Sequence, residues 1–162
     1  METIKTDLRP YGIVPAKGRS YENIVYVLAL VHNRLQAQAE DYLSAYGLSA
    51  VQFNLLMLAA YQNKGHGISQ VQAAAHLIAS ASNVTKLVEK SVRLGLLTRK
   101  TNPNSRRENV ICITKKGQQL IDRVWPGYDK LMCQLTEKIP ASRRGAIEQI
   151  LRNWFNQLQE EK

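Results

Sequence analysis

A chain of 162 residues has room for one compact domain with its own core, or for one module and an assembly arm, and not for two full domains. Its 22 Lys and Arg against 13 Asp and Glu give a formal charge of +9 and a pI near 9.7, which favours an acidic partner such as nucleic acid or a membrane surface. Two cysteines, Cys112 and Cys133, with no CxxC and no Cys/His cluster, exclude a disulfide framework and a zinc pattern and fit a reducing cytoplasm.

Residues 1–20 hold Pro10, Gly12, Pro15 and Gly18 with little periodicity and predict an extended arm. A long helix over 21–46 follows, with Ile24, Val27, Leu28, Val31, Leu35, Ala39, Tyr42 and Leu43 on one stripe and Val25 and Leu30 beside it. Ile24–Val31 followed by Ala37-Gln38-Ala39 imitates a signal peptide, but His32, Asn33 and Arg34 interrupt it and the helical period continues. No run approaches the roughly 20 apolar residues that span a bilayer, so no membrane role is expected.

Gly47 stops the first helix and Ser49 caps a second, apolar over most of its girth through Phe53, Leu55, Leu56, Met57, Leu58, Ala59 and Ala60 and therefore central. After a turn at Asn63–Gly67, Ser69 opens a third helix carrying Ile68, Val71, Ala75 and Ile78. The fourth helix runs from an N-cap at Ser80 to a stop at Gly95. Val84, Leu87, Val88 and Val92 fall on one face, and Ser82, Lys86, Glu89 and Arg93 on the other. Its small first turn suits close approach to a DNA groove, and a short helix pair of this kind is a helix-turn-helix whose second member enters the major groove.

Leu96–Thr101 and Val110–Thr114 are β-prone segments joined by the polar, basic stretch Asn102–Asn109, which reads as a hairpin with an exposed loop carrying Arg106 and Arg107. Arginines suit the negative potential of a narrow minor groove. Ala79–Gly117 contains nine Lys and Arg against Glu89 and Glu108, so about a quarter of the chain holds most of the excess charge. Thr114 caps a fifth helix that Pro126-Gly127 kinks or breaks. Past Pro140, Ile147, Ile150, Leu151, Trp154, Phe155 and Leu158 form the apolar stripe of a sixth. This stripe and the first helix, through Ile24 and Leu28, can cover each other within one chain or across a two-fold axis.

The fold class is therefore mainly α with a small β-hairpin wing: a winged helix-turn-helix lobe over 47–117, a helical dimerisation region over 21–46 and 118–162, and the arm over 1–20. Ser80, Ser82, Asn83, Thr85, Lys86 and Lys90 are the expected groove-facing residues. Hydroxyls and amides can bond base edges, and the lysines a guanine or a phosphate. Arg99, Lys100, Arg106 and Arg107 are the expected wing contacts, with Lys115 and Lys116 adding phosphate attraction. Glu89 faces the same way and would pair with Arg93 or Lys86. His32, His66 and His76 show no chelating spacing, the cysteines read as ordinary free thiols, and no triad, phosphate loop or paired carboxylates suggest an enzyme or a cofactor.

The order of elements, with Leu48–Phe53, Ser80–Val88, Leu94-Gly95-Leu96-Leu97, Asn102–Arg107 and Ile113–Gly117, resembles the MarR family of bacterial transcription regulators over roughly residues 21–160. Ser105 stands where the family usually has an acid that orients a wing arginine. The resemblance implies a cytoplasmic homodimer with interleaved terminal helices, two winged lobes on a pseudo-palindromic double-stranded operator, and repression released by a small-molecule effector. An effector pocket between dimer helices and lobes would use Val31, His32, Leu35, Met57, Tyr61, Trp125 and Tyr128. The alternative is a winged-helix module that binds RNA or an acidic protein.

Overall fold

The computed structural model describes residues 8–12, 20–62, 67–77, 81–102 and 105–160; the side chains of residues 20, 81, 102 and 105–109 lie outside the described part. The chain runs α1 (Ser20–Ser44), α2 (Ala50–Tyr61), β1 (Ile68–Ser69), α3 (Gln70–His76), α4 (Ala81–Arg93), β2 (Leu97–Asn102), β3 (Ser105–Ile113), α5 (Lys115–Thr136) and α6 (Ala141–Glu160). The sheet is antiparallel with β3 in the middle, in the order β1-β3-β2.

The core gathers on α2, as an all-round apolar helix requires. Phe53, Leu55, Leu56 and Ala59 are fully buried, with Leu43 of α1, Val84 and Val88 of α4, Leu97 and Ile111 of the sheet and Ile121 and Val124 of α5 packed around them. Each element entering this core carries its own punctuation. Ser49 Oγ accepts the Gln52 N–H at 3.2 Å. Ser69 and Gln72 form a reciprocal capping box, and Thr114 Oγ1 accepts the Gly117 N–H at 3.0 Å. Gly47 ends α1 in a left-handed conformation, and the Leu48 N–H returns to the Leu43 carbonyl at 3.2 Å.

Five expectations change. Residues 9–11 of the arm form a 3₁₀ turn rather than extended chain, and Leu8 beside it is buried. Ile68 belongs to a strand, paired with Ile111, and not to the third helix. Gly67 makes this possible: with φ at +91° it lies so close to β3 that a Cβ would meet the Ile111 carbonyl oxygen and Cys112 Sγ at 2.7 Å each. With Ile68 removed from the helical count, the stripe shifts. Val71 is 80% exposed, Ala75 is also exposed, and Ala73 and Leu77 are the buried positions.

The expected eight-residue wing loop is also strand from Ser105 onward. β2 and β3 pair from Leu97 with Ile113 to Thr101 with Asn109, then shift register so that Asn102 pairs with Ser105. Polar residues carry no period-2 signal, yet a projecting ribbon satisfies its backbone through cross-strand bonds whichever side chains it bears. Finally, α5 passes through Pro126 without a break. The carbonyl that loses its donor belongs to Asp122, which like Pro126 is exposed, so water can satisfy it.

Candidate nucleic-acid interface

α4 has two different faces. Val84 and Val88 are 0% exposed and Ser91 is buried beside them, whereas Ser82, Asn83, Lys86, Glu89, Lys90 and Arg93 are exposed. The buried side is held by a polar seam as well as by packing. Gln52 Nε2 of α2 donates to Ser91 Oγ at 3.4 Å, and Ser91 Oγ donates on to the Leu87 carbonyl at 2.9 Å. Gln52 Oε1 is buried without a protein partner.

The C-terminal end of α4 is fixed by three further bonds. Gly95, at φ +69°, closes a Schellman turn in which the Leu96 N–H reaches the Ser91 carbonyl at 2.9 Å. Thr114 Oγ1 donates to the Gly95 carbonyl at 2.7 Å, and Lys116 Nζ to the Leu94 carbonyl at 2.8 Å. Lys116, expected to attract phosphate, therefore caps a helix end, where a cation is favoured.

The expected groove-facing residues divide. Ser82, Asn83, Lys86 and Lys90 stand exposed on α4. Thr85 is half-buried, and its hydroxyl accepts a 2.6 Å bond from Gln70 Nε2 at the start of α3, which ties the two helices together. Glu89 forms no ion pair with Lys86 or Arg93; among the described residues Arg152–Glu148 on α6 is the one recorded. Ser80 lies outside the described residues. On the hairpin, Leu97 is buried while Arg99 and Lys100 are exposed, so β2 leaves the core at Arg99 while its cross-strand partner Ile111 on β3 stays buried. Arg106, Arg107 and Ser105 occupy the start of β3, with side chains outside the described part. α4 packs against β2, which sets the exposed lysines and the ribbon side by side.

Within one chain the seven residues expected to line an effector pocket fall into separate groups, Met57 with Tyr61 and Trp125 with Tyr128, the last two with ring centroids 6.2 Å apart. A cavity of about 600 Å³ lies between the C-terminal ends of α2 and α3, lined by Asn54, Met57, Leu58, Tyr61, Gln62, His76 and Leu77. Met57 and Tyr61 belong to it. Val31, His32 and Leu35 are exposed on the outer part of α1, and Trp125 is 42% exposed. Tyr128 packs on Phe53 with ring centroids 4.9 Å apart, a core role. The expected dimer residues share one property: none is buried. Ile24 of α1 is 57% exposed and Phe155 of α6 61%, and α6 has no buried residue along its 20 positions.

Gln70, Gln52 and Lys116 escaped sequence reading because their partners lie 15, 39 and 22 residues away. Polarity inside the otherwise apolar α2 was the one available signal for Gln52.

No protein-family model matches the chain. The transcriptional repressor MprA of Escherichia coli is 24% identical over 140 residues, covering 85% of this chain and 79% of that protein. A MarR family regulator from Rhodococcus sp. RHA1 matches the structure with a TM-score of 0.73 at 25% identity, over 85% of this chain and 94% of the other. The chain is similar to MarR family regulators in sequence and in fold. The MarR fold is shared further with Sco3205 of Streptomyces coelicolor, solved in complex with DNA. There the TM-score is 0.78 at 18% identity, over 90% of this chain and 92% of that one. In the winged helix-turn-helix fold, α4 takes the place of the second helix of the helix-turn-helix and the β2–β3 ribbon that of the wing.

Proposed function

We propose that the protein is a homodimeric, sequence-specific regulator that binds a pseudo-palindromic double-stranded operator and represses transcription until a small molecule releases it. The observation that carries this reading is the asymmetry of α4. Its back is sunk in the core, while Ser82, Asn83, Lys86 and Lys90 stand exposed beside a ribbon bearing Arg99 and Lys100. Ser82 and Asn83 bond base edges, Lys86 takes a guanine or a phosphate, and Lys90, Arg99 and Lys100 take phosphates. Ser80, Arg106 and Arg107 keep their assigned roles in the first turn and the wing. Thr85 is assigned to holding α3 and α4 in register rather than to reading bases.

The lobe spans 47–117, with 21–46 and 118–162 as the assembly region. A 20-residue helix with no buried residue, together with an α1 whose outer half is equally bare, supports burial of both against a second copy. In such a dimer the recognition helices sit about 34 Å apart, one turn of DNA. The α2–α3 cavity, within the roughly 300–1,000 Å³ range of small-molecule sites, is the candidate effector site. An effector acts there by binding better to the lobe arrangement that does not fit DNA. The repressor MprA and the DNA-bound Sco3205 support regulation and DNA binding respectively.

The test is recovery of bound fragments from the source genome by the purified protein, with competition by operator duplex, random duplex and RNA at fixed salt. An enriched palindrome that RNA fails to displace is expected. Equal competition by RNA, or no palindrome, overturns the reading in favour of an RNA- or protein-binding module.

A further inference from the structure

Near the end of α1, Tyr42 Oη donates to the Val124 carbonyl of α5 at 2.9 Å, and the Tyr128 backbone N–H bonds the same phenol oxygen. Residues 124 and 128 are the two ends of one rung of the α5 ladder, so a side chain from another helix is seated on that rung. The sequence around the rung is built for it. Gly127 leaves the space the phenol occupies: a Cβ there would lie 2.2 Å from Tyr42 Oη and 2.9 Å from its Cζ. Pro126, one residue earlier, removes a ladder donor on the exposed side. Tyr46 and Tyr128 flank the phenol ring with centroids 5.4 and 6.3 Å away.

The position of this joint matters. Leu43 is the last buried residue of α1 and Val124 the last of α5, so both long helices cross where one leaves and the other enters the lobe core. We propose that Tyr42 and the Pro126–Gly127 notch are a positioning joint that fixes the angle of the DNA-reading lobe to the assembly helices, and thereby sets the half-site spacing the dimer accepts. The proposal rests on the dimeric DNA-binding reading. Burial and the neighbouring Tyr46 push the Tyr42 phenol up to about 12, so it remains a protonated donor across the neutral range.

The experiment is selection of bound duplexes from a random-sequence pool by wild type, Tyr42→Phe, Gly127→Ala and the double variant, with thermal melting to confirm folding. Wild type is expected to recover two half-sites at one dominant spacing. Tyr42→Phe keeps the ring, loses the donor, and should recover the same half-sites while its discrimination against sites one base pair longer or shorter falls roughly fivefold, the factor one net hydrogen bond supplies. Gly127→Ala should do the same, and the double variant should lose less than the sum, because both break one joint. If folded Tyr42→Phe retains wild-type spacing discrimination, the proposal is overturned while DNA binding stands. If wild type itself enriches no palindrome, the DNA reading falls and takes this proposal with it.

Discussion

Asn83 and Arg99 are expected to fail in different ways. Asn83→Ala removes a base-edge partner and should cost about 1–3 kcal/mol at the preferred site with the salt dependence unchanged. Arg99→Ala should weaken every duplex alike and lower the slope of log affinity against log salt by about 0.9, the mark of one lost phosphate. Titrations at several salt concentrations against operator and random duplex separate the two. Gly95→Ala forces a side chain into a left-handed conformation and should destabilise the fold by about 1–2 kcal/mol in urea unfolding. Tyr42 makes a pH prediction. Its folded value, about 12, is raised above the ordinary 10.0, so its contribution is fully present below pH 10 and is lost as pH rises toward 12. Stability of Tyr42→Phe should therefore fall less across that alkaline window than that of wild type. At this scale the caps and helix stops were legible, since Ser49, Ser69, Thr114, Gly47 and Gly95 act on neighbours within a few residues. Thr85 and Lys116 were not, because each is claimed by a distant partner: Gln70 in one case, the Leu94 carbonyl in the other.

Helices with a strong stripe were legible as elements, and short or polar elements were not. The two-residue β1 has no period to read, and missing it displaced the assignment of α3 by moving Ile68 into the wrong count. The ribbon was cut short because Ser105–Asn109 look like loop, although cross-strand pairing needs only backbone. The α2–α4 seam carries its own prediction. Gln52→Leu removes a buried acceptor that has no protein partner, so stability should rise or hold in denaturant melts, while the orientation of α4 loses its polar register and preference for operator over random duplex declines. Loss of stability with specificity retained would mean that Gln52 serves packing alone.

Across the whole molecule, the separation of charge from apolar surface is the organising fact. The net positive charge concentrates between residues 79 and 117, and the bare apolar side chains concentrate on α1 and α6. On the proposed reading, one end meets DNA and the other a second copy. Phe155→Glu combined with Ile150→Glu should shift sedimentation from dimer to monomer and weaken operator binding far more than half-site binding, since two linked half-sites gain through effective concentration.

A helix that buries none of its own residues within its chain gains little from its own core to keep it folded. In the proposed dimer α6 borrows its order from association, and its lifetime against proteases depends on how much of the protein is present. Dilute chains would be trimmed from the C-terminal side while concentrated ones are spared, so that scarcity accelerates its own clearance.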